Sequence, residues 1–182
     1  MKSTIGLLTT VCLILVLIGC EAIIPKTLVH ENMVPQNPEL VFKCSGKTIA
    51  LAQFKGPPSS SGTFLQVTPT DLQTAIIDGL KHSQLFSAAY QTAENKADYT
   101  LYAKIIGRPH DGISTVTAGL IVQYQIISND TRVKVFDKEI NGTCKVSFGE
   151  EMGGMTRHRK ATEGSVRDNV KKFLEAISTV PF

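Results

Sequence analysis

Val116-Thr-Ala-Gly-Leu-Ile-Val-Gln-Tyr-Gln-Ile-Ile127 is the stretch of sequence that decides the fold. In a β-strand, successive side chains point to opposite faces of the sheet. One face of this strand would carry only apolar and aromatic side chains, those of Leu120, Val122, Tyr124 and Ile126. The opposite face would be mixed, with Ile121, Gln123, Gln125 and Ile127. This contrast predicts a sheet that helices cover on one side.

Further strands are predicted on both sides of this stretch. Residues 99–106 precede it, and residues 132–148 follow it after Ser128-Asn-Asp-Thr131, a sequence rich in turn formers. The short connection predicts an antiparallel meander. Upstream, residues 40–42 and 48–52 predict two short strands joined by a turn.

Two helices complete the predicted fold. The first follows Thr68-Pro69-Thr70-Asp71, which supplies an N-cap threonine, a proline at the first helical position and an acid three residues after the cap. It should end near Ser83, and a second helix should run over 159–179, where Gly164 predicts close contact with a strand. The order β-β-α-β-β-β-α predicts an α+β fold, with a single mixed, mostly antiparallel sheet and two helices on one face.

The first 19 residues predict a secretory signal peptide. Lys2 precedes an apolar run over residues 5–18, which is too short for a spanning helix of about 20 apolar residues. The sequence Leu17-Ile18-Gly19-Cys20 resembles the lipobox of bacterial lipoproteins, a family in which a diacylglyceryl group is attached to the cysteine thiol and the signal is cut before it. The resemblance implies a lipid anchor at Cys20. A cleaved signal with an incidental cysteine is the alternative.

Residues 20–38 predict a lipidated N-terminus and a flexible tether. They show no periodicity and contain Pro25, Pro35 and Pro38. Fully extended, the 18 residues that follow Cys20 reach at most about 60 Å. The tether would hold one periplasmic α+β domain, residues 39–182, clear of the lipid headgroups.

The remaining cysteines predict a disulfide. Cys12 leaves with the signal and Cys20 carries lipid, so Cys44 and Cys144 are the only thiols of the processed chain. An oxidising periplasm favours a bridge between them. Two separate buried thiols are the alternative.

The sequence indicates a binding protein rather than an enzyme. It contains no nucleophile elbow and no phosphate-binding glycine loop, so we expect no catalytic residues, no cofactor and no metal. The four histidines, at 30, 82, 110 and 158, are scattered along the chain. Lys and Arg number 19 against 16 Asp and Glu, a balance that gives no indication of nucleic-acid binding.

One segment is a candidate for contact with a partner. Residues 149–159 form a glycine-rich stretch that contains two methionines and ends with Arg157, His158 and Arg159. The alternatives are a solvated helix entrance, or a Cu(I) site made by the methionines and the histidine.

The order of elements resembles that of small Gram-negative outer-membrane lipoproteins, as do the phrases Ala97-Asp-Tyr-Thr-Leu101 and Ala161-Thr-Glu-Gly-Ser-Val-Arg-Asp-Asn169. These include the YajG-like and LpoB-like proteins and the auxiliary lipoproteins of ABC-type lipid transport. The resemblance implies a non-enzymatic protein that binds an envelope protein or assembly. The alternative is a lipid-binding or small-molecule-binding auxiliary component of a transporter. In that family Asp after the lipidated cysteine favours inner-membrane retention, so Glu21 predicts the periplasmic face of the outer membrane rather than the inner membrane.

Overall fold

The computed structural model describes residues 27–36, 45–57, 66–92 and 96–182. Within these ranges the chain has six strands and two long helices, which confirms the predicted α+β fold. In chain order the elements are β1 (Thr48–Leu51), α1 (Pro69–Ser83), β2 (Ala88–Tyr90), β3 (Tyr99–Gly107), β4 (His110–Asp111), β5 (Thr115–Ser128), β6 (Lys134–Ser147) and α2 (Gly154–Ser178). A short 3-10 helix, His30–Asn32, precedes them.

The strands form one mixed sheet. β1 lies between β2 and β3 and is parallel to both. The long strand β5 is antiparallel to β3, to β4 and to β6, as the meander predicts. The predicted strand at 40–42 lies outside the described residues. β2 and β4 were not predicted, because strands of two or three residues are too short to show a period.

The core lies between the helices and one face of this sheet. Leu120, Val122, Tyr124 and Ile126 of β5 are fully buried, as their alternation predicts. α2 packs against them, and the rings of Tyr124 and Phe173 stack with centroids 4.3 Å apart. The opposite face is polar around Gln125, whose amide contacts Asp137 of β6. Helices therefore cover one side of the sheet.

Helix α1 begins at Pro69, directly after the predicted N-cap residue Thr68. The amide of Thr68 donates to the Asp71 carboxylate at 2.8 Å, and the amide of Asp71 donates to the Thr68 hydroxyl at 3.1 Å. Two backbone donors that no helical carbonyl can reach are thereby satisfied, and Pro69 at the first helical position has no such donor. This local chemistry confirms the predicted start of the helix.

Helix α2 begins at Gly154, five residues before the predicted start, and crosses β6 at close range. A methyl group on Gly164 would lie 2.8 Å from Cβ of Cys144, which confirms the predicted strand contact. A methyl group on Gly142 of β6 would overlap with the backbone of Ser165 and Asn169. The two glycines therefore set the distance between helix and sheet.

Asn169 joins α2 to the two strands beneath it. Its side-chain oxygen accepts a hydrogen bond from the Tyr124 hydroxyl at 2.6 Å. Its side-chain nitrogen donates to the carbonyl oxygens of Leu120 at 2.9 Å and Ile140 at 2.8 Å. Asn169 and Tyr124 are both fully buried. The side-chain oxygen and the side-chain nitrogen of Asn169 thus both have hydrogen-bond partners within the core.

The described part of the expected tether differs from the prediction. Residues 27–36 lie against the helices, and Met33 and Val34 are buried there. Leu28 packs against the same core. Two consecutive apolar side chains among prolines were too short a pattern to indicate packing. Residues 20–26 and 37–38 lie outside the described residues.

Replacing the buried amide tests this arrangement. We expect Asn169→Ala to lower the free energy of unfolding by about 2–3 kcal/mol, because it leaves the buried Tyr124 hydroxyl without its acceptor. Urea unfolding followed by circular dichroism measures the change. Asn141→Ala, at an exposed position of β6, is the control and should change stability by no more than about 0.5 kcal/mol. Equal losses in the two variants would contradict a structural role for Asn169.

Candidate functional site

Arg157 ties two loops to the start of α2. Its Nη1 donates to the carbonyl oxygens of Glu151 at 2.7 Å and Met152 at 2.8 Å. Its Nη2 donates to the carbonyl oxygen of Ile113, in the loop between β4 and β5, at 3.1 Å. Only 6% of Arg157 is exposed. This side chain therefore holds the surface together from beneath and does not offer a free cation to a partner.

Three large apolar side chains are exposed around Arg157. Ile113 is 87% exposed, Met152 is 74% exposed, and Phe148 is 54% exposed with its ring 5.2 Å from the Arg157 guanidinium. We call Ile113, Phe148 and Met152 the apolar corner. Clustered apolar side chains on a surface are typical of contact sites for other molecules. Met152 lies in the segment that the sequence indicates as a candidate for partner contact, whereas Ile113 lies 39 positions earlier in the chain, where no pattern indicated it.

The other two predicted partner-binding residues follow Arg157 on α2. Arg159 is partly buried, and its Nε lies 3.7 Å from the Glu163 carboxylate. His158 is half-buried. Lys160, the next residue, pairs with Glu151 at 2.6 Å. Arg157 thus lies beneath the apolar corner, His158 contacts His110, and Arg159 faces Glu163.

His158 and His110 form a pair, which corrects the expectation that the histidines are scattered. Their rings stack with centroids 4.7 Å apart and planes at 21°. Nε2 of His110 contacts Nδ1 of His158. Forty-eight positions separate the two residues, and only the pairing of β4 with β5 brings His110 to the start of α2. No local pattern in the sequence could have revealed this contact.

The surroundings disfavour the charged form of both imidazoles. Partial burial lowers the pKa of His110, and His158 lowers it further while Asp111 opposes them. Partial burial also lowers the pKa of His158, with a contribution from the Arg157 charge. The pKa of each imidazole therefore lies below the ordinary value of 6.5. The pair is therefore mainly neutral at neutral pH.

A small pocket opens on the other side of His110. Its cavity volume is about 80 Å³, and Arg108, Gly119 and Thr162 are among its lining residues. The Arg108 guanidinium donates to the carbonyl oxygen of Pro57, at 3.4 and 3.5 Å. No ion pair between described residues includes Arg108. Because a site for a drug-sized ligand has about 300–1,000 Å³, this pocket can take only a small polar group.

The cysteines are placed only in part. Cys20 and Cys44 lie outside the described residues, so lipidation and the disulfide both stay predictions. Cys144 is half-buried on β6 beneath Gly164, and burial raises the pKa of its thiol. In the described part of the chain, no three His, Cys, Asp or Glu side chains converge as ligands of a metal ion would.

Comparisons with known proteins support the fold alone. No family model and no curated protein matches the chain. Protein XCC0632 from Xanthomonas campestris, of the DUF330 family, has a TM-score of 0.59 at 12% identity over 80% of this chain and 90% of its own. Protein CT253 from Chlamydia trachomatis has a TM-score of 0.55 at 6% identity, over 75% of this chain and 98% of its own. A minor lipoprotein from Acinetobacter baumannii reaches only 0.45 at 12% identity, over 75% and 93%.

No helix in the described ranges combines the length and apolarity needed to cross a bilayer.

The histidine pair predicts a pH-dependent stability. Because the folded pKa of each imidazole lies below 6.5, the unfolded chain binds protons first as pH falls. The contribution of the two neutral imidazoles to the free energy of unfolding is complete above about pH 6.5 and is lost as pH drops below it. Urea unfolding at several values between about pH 7.5 and 5.5 should show this decline, which the double variant His110→Asn/His158→Asn should reduce. His82→Asn, at an exposed position of α1, is the control; an unchanged slope in the double variant would contradict the assignment.

Proposed function

We propose that this chain is a lipid-anchored lipoprotein of the Gram-negative envelope, whose periplasmic domain binds another envelope protein without catalysing a reaction. The apolar corner is the surface that carries the proposal. His158 and Arg159 supply polar groups at its edge. The domain would act as a fixed docking surface on the membrane.

The proposed anchor depends on the N-terminal sequence. Leu17-Ile18-Gly19-Cys20 has the lipobox pattern, and the lipoproteins it resembles carry a diacylglyceryl group and usually an acylated amine. One acyl chain gives only marginal binding to a bilayer, whereas two or more hold a protein durably. Glu21 supports sorting to the outer membrane. The resemblance to YajG-like, LpoB-like and transport-associated lipoproteins supports the same place of action.

The proposed binding surface depends on the exposure and the fixed geometry of the apolar corner. An exposed apolar side chain gains free energy when a partner removes it from water. Arg157 binds the backbone carbonyl groups of Met152 and Ile113 and lies 5.2 Å from the Phe148 ring, so the backbone that carries the corner is held in place before binding. A preformed surface loses less conformational entropy when a partner binds. These two properties favour a protein partner.

Lipid or small-molecule binding, as in an auxiliary component of a transporter, is less well supported. The pocket beside Arg108 would accept a small polar group, but its volume of about 80 Å³ excludes an acyl chain. The groove along Cys144 and Arg167 is wide open to solvent and does not enclose a ligand either. The corner therefore remains the preferred surface.

Mass spectrometry of the protein extracted from membranes tests the anchor. We expect an N-terminal Cys20 that carries acyl mass, because signal cleavage at the lipobox follows lipid attachment. Cys20→Ala should leave an unprocessed precursor in the same cells. A mature chain that begins with an unmodified residue would refute the anchor.

Site-specific crosslinking in intact cells tests the binding surface. A photo-crosslinking residue at Glu150, beside the corner, should capture a protein that the same residue at Asp130, beyond the far end of β5, does not capture. The double variant Ile113→Ser/Met152→Ser should reduce this product by about tenfold or more, as loss of central apolar contacts does at interfaces. Val133→Ser, an exposed apolar residue near Asp130, is the matched control. Capture that is equal at both positions, or unchanged by the double variant, would contradict the proposed surface.

A further inference from the structure

Glu163 is a buried carboxylate that binds the N-terminal segment of the domain. It lies on α2 and is 1% exposed. Oε1 accepts a hydrogen bond from the amide of Val29 at 2.7 Å, and Oε2 accepts one from the side-chain amide of Asn32 at 2.8 Å. Removing a carboxylate from water is costly unless its oxygens are bonded. Val29 and Asn32 meet this requirement from outside the sheet and helices.

Further contacts fasten the same segment to both helices. Nη1 of Arg167, on α2, donates to the carbonyl oxygen of Asn32 at 3.2 Å. Nε2 of His30 lies 2.8 Å from the carboxylate of Asp78 on α1. Met33 and Val34, which follow these polar contacts in the chain, are buried. We call residues 27–36 the docked segment, because polar bonds and apolar burial both hold it.

Docking shortens the connection between the domain and the proposed anchor. Seven residue steps separate Cys20 from Thr27, the first residue of the docked segment. Fully extended, they span at most about 25 Å. A free tether over residues 21–38 would reach about 60 Å. The docked segment therefore shortens the maximum distance between Cys20 and the domain by more than half.

This length also restricts the orientation of the domain. A domain of about 140 residues measures roughly 40 Å across. A connection of about 25 Å cannot pass around it from the helices to the polar face of the sheet. With the proposed anchor at Cys20, the helices that hold the docked segment would lie near the bilayer, and the polar sheet face would point away.

We propose that the face formed by α1, α2 and the docked segment is the surface that this domain turns toward the phospholipid headgroups of its own membrane. This inference rests on the proposed anchor at Cys20. Glu163 is the positioning residue, since it keeps the connection short. The bilayer that holds the acyl chains is the partner of this face.

Energy transfer from the protein to labelled lipid tests the orientation. The acylated full chain is inserted in phosphatidylethanolamine–phosphatidylglycerol vesicles with acceptor lipids, and a fluorescent amino acid replaces Lys81 on α1 or Lys104 on the polar sheet face. We expect stronger transfer from position 81 than from position 104. Release of the docked segment should weaken transfer from position 81 and reduce the difference, because the reach rises from about 25 Å toward 60 Å.

Two kinds of variant release the segment. Glu163→Ala removes both acceptors, and Val29→Pro/Asn32→Ala removes both donors without changing α2. In either, amide hydrogen exchange of residues 30–34 should become about tenfold faster while that of α2 is retained. Glu175→Ala is the matched control, since Glu175 is exposed on the same helix and pairs with Lys171 of that helix at 3.8 Å.

The outcomes separate the two proposals. Equal transfer from positions 81 and 104 in an acylated chain, or a difference that both release variants leave unchanged, would overturn the orientation and leave the anchor intact. A chain that carries no acyl group and does not bind the vesicles would overturn the anchor and the orientation with it. Slow exchange of the docked segment would then still confirm its packing on the helices.

Discussion

The close crossing of α2 over β5 and β6 is the constraint on which the rest of the structure depends. Gly142 and Gly164 carry no side chain at the crossing, so the helix backbone lies directly on the strands. Asn169 is then near enough to bond the carbonyl groups of both strands and the Tyr124 hydroxyl. A helix displaced by one methyl group would leave these buried polar groups unpaired, which costs more than the bonds contribute when formed.

The same helix carries both of the surfaces to which we assign a role. Arg157, near its N-terminal end, organises the apolar corner, and Glu163, six residues later, holds the docked segment. Six residues of α-helix span about 9 Å. Asn169 fixes α2 on the sheet. The distance along α2 between the apolar corner and the docked segment therefore stays constant. A lipoprotein built this way would keep its binding surface nearer to the membrane than a free tether of about 60 Å would.

Local patterns predicted the parts of the fold that local interactions form. The capping box at Thr68 and Asp71 needs only four consecutive residues, and the buried face of β5 needs only alternation. The start of α2 was missed because Gly153 and Gly154 carry none of the usual capping side chains, and Arg157 fixes that turn through carbonyl groups of other loops. The predicted partner-binding role of Arg157, His158 and Arg159 stays a prediction. Arg157 bonds the carbonyl group of Ile113 and His158 contacts His110, and both of these partners come from a distant part of the sequence.

The sequence by itself determined which side of β5 faces the core, where α1 begins, and that the N-terminus carries a lipobox-like signal. Tertiary structure alone decided which elements meet: Val29 with Glu163 across 134 positions, and His110 with His158 across 48. The physical reason is that the periodicity of apolar residues specifies to which face a side chain points, and not which residue it contacts there. Partners follow from strand register and from the distance at which α2 crosses the sheet, and both are set by contacts among residues far apart in the chain.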